Sequence, residues 1–223
     1  YRRSLAYNRT VTYVDGQIKR LVDFLKAKGQ LDDTLIVLCA DHGGPIEYPL
    51  RNKNEATMFY EEYVRVPVIF YNPGIEPMEI DHYCGLIDVA PTIIDLAGIK
   101  ISDDYGFKGV PVYSQEAKDR KYLYLENLFR GPCDFKRKPI NICMRTNQYK
   151  YVWREALFHR SSKWVTAPPW GTDMPCELYD LEKDPSELNN LINDGDHHKI
   201  IDEFNLIGEK RRSEIRQNTG GCL

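Results

Sequence analysis

Residues 34–44, Thr34-Leu-Ile-Val-Leu-Cys39-Ala-Asp41-His42-Gly43-Gly44, decide the fold. Thr34–Cys39 is a continuous apolar, β-branched run too short for a helix, the pattern of a parallel strand covered on both faces. Cys39 within it reads as a buried small hydrophobe. The run then gives way to an acid, an imidazole and two glycines. In open α/β sheets ligands collect at the carboxyl ends of strands, where loops rather than packed side chains occupy the space. Asp41 and His42 together offer one hard oxygen and one imidazole nitrogen, a mixed donor set for a divalent cation, and Gly43-Gly44 lets the backbone turn away without crowding it. A turn-capping Asp41 beside a hydrogen-bonded His42 is the competing reading. Spacing alone favours that second reading, because two ligands do not complete a metal centre.

Working outward, Leu5, Val11, Val14, Ile18, Leu21 and Leu25 step by threes and fours, which predicts one amphipathic helix over residues 1–28 stopped at Gly29. Downstream, Val66–Tyr71 is a second apolar strand closing at Asn72-Pro-Gly74, and residues 79–87 read as a third, poorer one. Asp88 then reads as an N-cap, with Pro91 in the first turn and Gly98 as the stop. Helix, strand, strand, helix is the cadence of an α/β layered fold. The texture changes after about residue 117. Tyr122–Glu126, Ile140–Met144 and Tyr149–Trp153 are short alternating runs that predict a small antiparallel sheet, residues 155–175 a long loop, and His197–Arg216 an amphipathic helix. The domains expected are therefore 1–117, an α/β core, and 118–223, an antiparallel-sheet and helix subdomain.

The 223 residues, 42% hydrophobic and 28% charged, describe a folded chain and exclude disordered or collagenous classes. A net charge of −3 gives no broad basic surface, so nucleic acid is not an expected partner, and no apolar stretch reaches the roughly 20 residues of a membrane span. The six cysteines form no C-x-x-C pair or zinc spacing. A chain opening on Tyr1 in mid-pattern reads as part of something longer, and no segment assigns it a compartment.

Five separated blocks carry a resemblance. They are Tyr13-Val-Asp15; Asp33-Thr34 through Asp41-His42-Gly43; Tyr60-Glu61 running to Arg65-Val66-Pro67; Ile87-Asp88-Val-Ala-Pro91-Thr92 running to Gly98; and Glu177-Leu-Tyr179-Asp180-Leu with Asp184-Pro185, Glu187 and Asn190-Leu191. In order and spacing they resemble the sulfatase branch of the alkaline phosphatase superfamily. The resemblance implies the C-terminal half of an alkaline-phosphatase-like three-layer α/β sandwich, followed by a four-stranded antiparallel α+β subdomain. It implies that Asp41 and His42 are two ligands of one divalent metal ion, calcium foremost, with manganese or zinc as alternatives. It also implies a Lys contacting the ester oxygen. That Lys stands closer to the Arg-Val-Pro block in the family, at places held here by Ala56 and Glu55, and Lys53 is the nearest candidate.

The family's nucleophile, a Cys or Ser in Cys/Ser-x-Pro/Ala-x-Arg that becomes formylglycine, has no counterpart here. Cys133-Asp-Phe-Lys-Arg137 has the right ends but Phe135 in the middle, and it lies far downstream. The expectation is a chain that hydrolyses sulfate esters only as part of a longer parent, with the N-terminal half of that parent as partner and a sulfated small molecule or carbohydrate as substrate. A phosphonate or phosphate ester hydrolase of the same superfamily, to which Asp-His rather than Asp-Asn also points, is one alternative. A non-catalytic binding module retaining the fold is the other.

Overall fold

A computed structural model describes residues 2–44, 59–102, 105–128, 140–154 and 176–218. The elements run α1 (Arg2–Ala27), β1 (Ile36–Cys39), α2 (Glu61–Val64), β2 (Val68–Tyr71), a 3-10 turn at Leu86–Asp88, α3 (Val89–Leu96), α4 (Gln115–Lys118), β3 (Leu123–Leu128), β4 (Ile140–Arg145), β5 (Tyr149–Arg154), β6 (Glu177–Asp180), a 3-10 turn at Gly195–His197, and α5 (His198–Asn218). Two compact units form, Tyr1–Leu50 with Glu62–Arg120 and Arg51–Glu61 with Lys121–Leu223.

In the first unit α1 ends as expected. Gly29 takes φ +65°, and the amide of Gln30 reaches back to the carbonyl of Leu25 at 2.9 Å, closing the helix with a left-handed cap. Gly98 ends α3 the same way, at φ +66° with Ile99 donating to Ile94 at 3.0 Å. The strand pairing differs from the sequence expectation. β1 pairs antiparallel with β2, Ile36 facing Tyr71 and Cys39 facing Val68. Neither strand is covered on both faces: Cys39, Val68, Ile69 and Tyr71 are exposed. An apolar run reports a wish for burial but carries no information on strand direction, which is set by the partner. Among the described residues no strand forms over 79–87, and its last residues enter the 3-10 turn at Leu86–Asp88.

Asp88 does stand before α3, but its carboxylate caps none of that helix's amides. It is fully buried and accepts from the amides of Gly85 (2.8 Å) and Val110 (3.0 Å) and from both terminal nitrogens of Arg120 (2.7 and 2.8 Å). Burial works to raise its pKa, but the Arg120 fork and the two amides outweigh it and hold the carboxyl below its usual range. Thr92, one turn on, donates to the Asp88 carbonyl at 2.6 Å and accepts from Val112 at 3.0 Å. The Ile87-Asp88-x-x-Pro91-Thr92 block is thus a buried knot that ties α3 to residues 110–120.

The second unit is built on an antiparallel sheet ordered β3-β4-β5-β6. Alternation gives it two buried faces. Ile140, Ile142, Met144, Tyr151 and Trp153 meet Ile201, Phe204 and Ile215 of α5, with Phe204 stacked on Tyr151 at 5.4 Å. Gly208 lies where α5 crosses Trp153; a Cβ there would stand 2.6 Å from the indole. Cys143 and Val152 point the other way, onto Phe59. Asp180 and Asn190 shape the turn after β6: Asp180 accepts from the amides of Glu182 and Lys183, and Asn190 from those of Leu178 and Ile192.

Candidate metal site

β1 delivers the backbone to Asp41, and the turn that follows orders itself. The His42 amide donates to Asp41 Oδ1 at 2.9 Å, and His42 Nδ1 lies 2.7 Å from the carbonyl oxygen of Gly43. A carbonyl only accepts, so a neutral His42 carries its proton on Nδ1 and leaves the Nε2 lone pair outward. That Nε2 stands 3.7 Å from Asp41 Oδ2, with the two side chains 67% and 89% exposed. Two ligands about 2.1–2.5 Å from a common ion at roughly right angles are separated by about 3–3.5 Å. A ligating histidine typically donates its other ring N–H to a carbonyl or carboxylate. The donor types and the Nδ1 contact suit a divalent cation, and the 3.7 Å separation is slightly wider than that of two ligands at right angles.

Gly43 ties this turn to α2. Its amide donates to the Tyr63 carbonyl at 2.7 Å, and a Cβ at position 43 would fall 2.2 Å from the carbonyl oxygen of Glu62. Glycine is needed here for close approach of two backbones. Among the described residues no cluster of three or more His, Cys, Asp or Glu is assembled, so Asp41 and His42 stand as a pair. Lys53, Cys133–Arg137 and the 155–175 loop lie outside the described residues.

A second charged constellation joins residues far apart in the sequence. Lys150, on the Val152 face of β5, is wholly buried and places Nζ within 2.8 Å of three oxygens: Phe59 O (2.8 Å), Glu61 Oε1 (2.7 Å) and Glu187 Oε1 (2.7 Å). Arg145 Nε donates to the same Glu61 oxygen at 3.0 Å, and the Glu61 amide donates to Glu187 Oε2 at 2.8 Å. Burial raises the Glu61 pKa, but Lys150 and Arg145 overcome that and bring it below normal; for Glu187, at 1% exposure, burial prevails and the pKa rises. Glu187 also holds φ +54°, unusual for a side chain with a Cβ. In the sequence Glu61 and Glu187 stand inside blocks of the family resemblance and Lys150 inside the otherwise apolar and aromatic run Tyr149–Trp153, but nothing there joins them. Burial lifts the thiol of Cys143 to about 12, which makes it a packing residue and not a nucleophile.

The described elements, α1 through α5, form an α/β chain of the alkaline-phosphatase-like class. The chain belongs to the sulfatase family: the Sulfatase model matches residues 3–99, and the model for N-sulphoglucosamine sulphohydrolase, C-terminal, matches residues 53–213. It is 28% identical over 220 residues, 95% of its length, to an N-acetylglucosamine-6-O-sulfatase of Bacteroides thetaiotaomicron. It is 31% identical over 191 residues, 83% of its length, to a choline-sulfatase of Rhizobium meliloti. A solved structure described as a complex with its substrate D-glucosamine-2-N,6-O-disulfate matches 94% of this chain and 40% of that one, with TM-score 0.61 and 26% identity. The chain spans about a third of those curated relatives, 36% and 32% of their lengths. Among the described residues no helix is long and apolar enough to cross a membrane.

Proposed function

We propose that this chain is the C-terminal part of a metal-dependent sulfatase that hydrolyses sulfate esters of a carbohydrate. The observation that carries the reading is the solvent-open convergence of Asp41 Oδ2 and His42 Nε2 at 3.7 Å, at a strand end of a chain from this family. Sulfated amino sugars are the favoured substrate class because relatives over most of the chain carry such names. The sequence holds no Cys/Ser-x-Pro/Ala-x-Arg nucleophile, so in this reading the nucleophile and remaining metal ligands come from the N-terminal half of the same parent. The exposed apolar stripe of α1, with Leu5, Val11, Val14 and Leu21 each 43–51% exposed, supports a further layer of chain packing there.

Within this reading Asp41 gives a carboxylate oxygen and His42 gives Nε2 to the ion, calcium first among the candidates. A divalent ion held by Asp41 and His42 would supply Lewis-acid stabilisation of charge on the ester oxygens. Asp41 also orients its neighbour, because its second oxygen holds the His42 amide. Lys53 is the proposed cationic contact to the ester oxygen.

The test is turnover of a sulfated glucosamine by the full-length protein and by its Asp41→Ala variant. Losing one metal ligand removes several kcal/mol of charge stabilisation, a loss on the order of 10²- to 10³-fold in kcat/KM. Residues 1–223 alone are expected to turn nothing over. Unchanged turnover in Asp41→Ala overturns the site assignment, and turnover by residues 1–223 alone overturns the placement of the nucleophile.

A further inference from the structure

The two strands that lead to Asp41 carry no pattern that fixes their pairing. β1 (Ile-Val-Leu-Cys) and β2 (Val-Ile-Phe-Tyr) are apolar on both faces. Register in a sheet is set by the alternation of apolar and polar residues or by a tight hairpin turn. Neither acts here: a slip of one residue leaves the same apolar faces, and β1 is joined to β2 through α2 rather than through a hairpin. Yet the pairing is specific, Ile36 with Tyr71 and Cys39 with Val68. The side chain of Asn72 supplies a polar bond across the ladder. Its Nδ2 donates to the carbonyls of Asp32 (2.8 Å) and Thr34 (3.0 Å), and its Oδ1 accepts from the Gly74 amide (2.8 Å). With the amide turned over, its oxygen would face two carbonyls, so the partners fix its orientation. Thr34 itself closes the turn after α1, its amide donating to the Leu31 carbonyl (3.2 Å) and its hydroxyl to that of Gln30 (2.7 Å). Asn72 thus grips a turn that is already ordered.

A shift of β1 by one residue would carry Asp41 about 3.3 Å along the strand and turn every side chain of β1 to the opposite face. Asn72 holds the end of the ladder where β1 enters, beside the Ile36–Tyr71 pair. Gly43, whose amide donates to the Tyr63 carbonyl at 2.7 Å, holds the end where Asp41 leaves. All of these residues belong to one compact unit. We infer that Asn72 is a positioning residue for the Asp41–His42 pair: it sets the register of β1 against β2, and with it the place where the two side chains emerge. The inference deepens the proposed metal site and rests on that reading for its functional consequence. Its structural part, the register of β1, stands separately.

The experiment uses the full-length protein and two variants. Asn72→Ala removes all three hydrogen bonds. Asn72→Asp keeps the shape and the acceptor for the Gly74 amide but has no N–H for the carbonyls of Asp32 and Thr34. It therefore separates the bond across the ladder from the turn at Asn72-Pro-Gly74. Hydrogen exchange followed by mass spectrometry from Thr34 to Gly44 is read beside exchange in α3, β4 and β5, and Mn2+ affinity is measured by titration. Loss of two net hydrogen bonds should speed exchange from Thr34 to Gly44 at least about 10-fold in both variants. Mn2+ binding is expected to weaken about 10- to 100-fold, with α3, β4 and β5 as protected as in the wild-type protein. Wild-type exchange in Asn72→Asp overturns the inference, because the turn bond alone then suffices. Faster exchange with undiminished Mn2+ affinity overturns the positioning role. Where Asn72→Ala loses protection throughout, Asn72→Asp is read alone: faster exchange confined to Thr34 through Gly44 supports the inference, and uniformly faster exchange overturns it. Wild-type protein that binds no Mn2+, while exchange in this segment still responds, overturns the metal reading and leaves the register role standing.

Discussion

Asp41 and His42 stand 89% and 67% exposed, and their side chains meet each other, the His42 amide and the Gly43 carbonyl within their own turn. Asp88, Lys150 and Glu187 are buried to 1% or less and surrounded by opposite charges and amides. The contrast separates two uses of charge in one chain. A buried ion survives only when its desolvation is offset by partners at nearly every lone pair or proton, so its chemistry is consumed by the fold. An exposed acid beside an outward imidazole nitrogen retains its capacity for a ligand. Both kinds occur inside the blocks that mark the family, which means that a motif of charged residues does not by itself say which of them act.

This contrast makes opposite forecasts for substitutions on its two sides. The largest stability effect belongs to Lys150→Ala, which leaves Glu61 and Glu187 facing each other without their shared cation. It is expected to cost about 3–5 kcal/mol in urea unfolding of the full-length protein; a loss under about 1 kcal/mol would show that the cluster is not structural.

Asp88→Asn comes next, at about 3 kcal/mol, because the Arg120 guanidinium loses its counter-charge. It also carries a pH signature. The Asp88 carboxyl titrates below its unfolded value of about 3.8, so its stabilisation is complete above that value and is lost as pH falls through the folded pKa. The fall in Tm between about pH 5 and about pH 2 should be shallower in Asp88→Asn than in the parent protein. Glu187, whose pKa is raised, has the opposite sign: its protonation favours the folded state and adds nothing to acid lability.

Gly43→Ala is a milder steric test. The new Cβ meets a backbone carbonyl at 2.2 Å, so either the turn or α2 must shift, at about 1–3 kcal/mol. The smallest stability effect belongs to Asp41→Ala, within about 0.5 kcal/mol for an exposed side chain, with the largest loss of turnover. A variant at position 41 that unfolds the protein while sparing activity would invert the comparison.

Much of the fold was legible because its signals are local. Threes-and-fours periodicity and a glycine stop gave α1, Gly98 gave the end of α3, and strict alternation with a polar turn at Arg145–Gln148 gave β4 and β5. Direction and partner were not local. Thr34–Cys39 has the composition of a parallel strand, yet β1 lies antiparallel to β2, and the poorer strand expected over 79–87 is not among the strands of the described residues. Asp88 looked like a cap because it precedes a helix; its true partner, Arg120, is 32 residues away. Of the proposed site, Asp41 and His42 could be singled out because an acid, an imidazole and two glycines follow a strand, but it was the family resemblance, not their spacing, that proposed them as ligands. Lys150 and Arg145 could not be singled out, since Glu61 lies 84 residues from Arg145 and no spacing rule links them.

The most direct measurement is a calorimetric titration of the full-length protein with Ca2+ and Mn2+, repeated on Asp41→Ala and His42→Ala after each is shown to keep the Tm of the metal-free parent. One divalent ion per chain, with affinity reduced at least about 10-fold by either substitution, is the predicted result. Equal affinity in all three proteins would contradict the account.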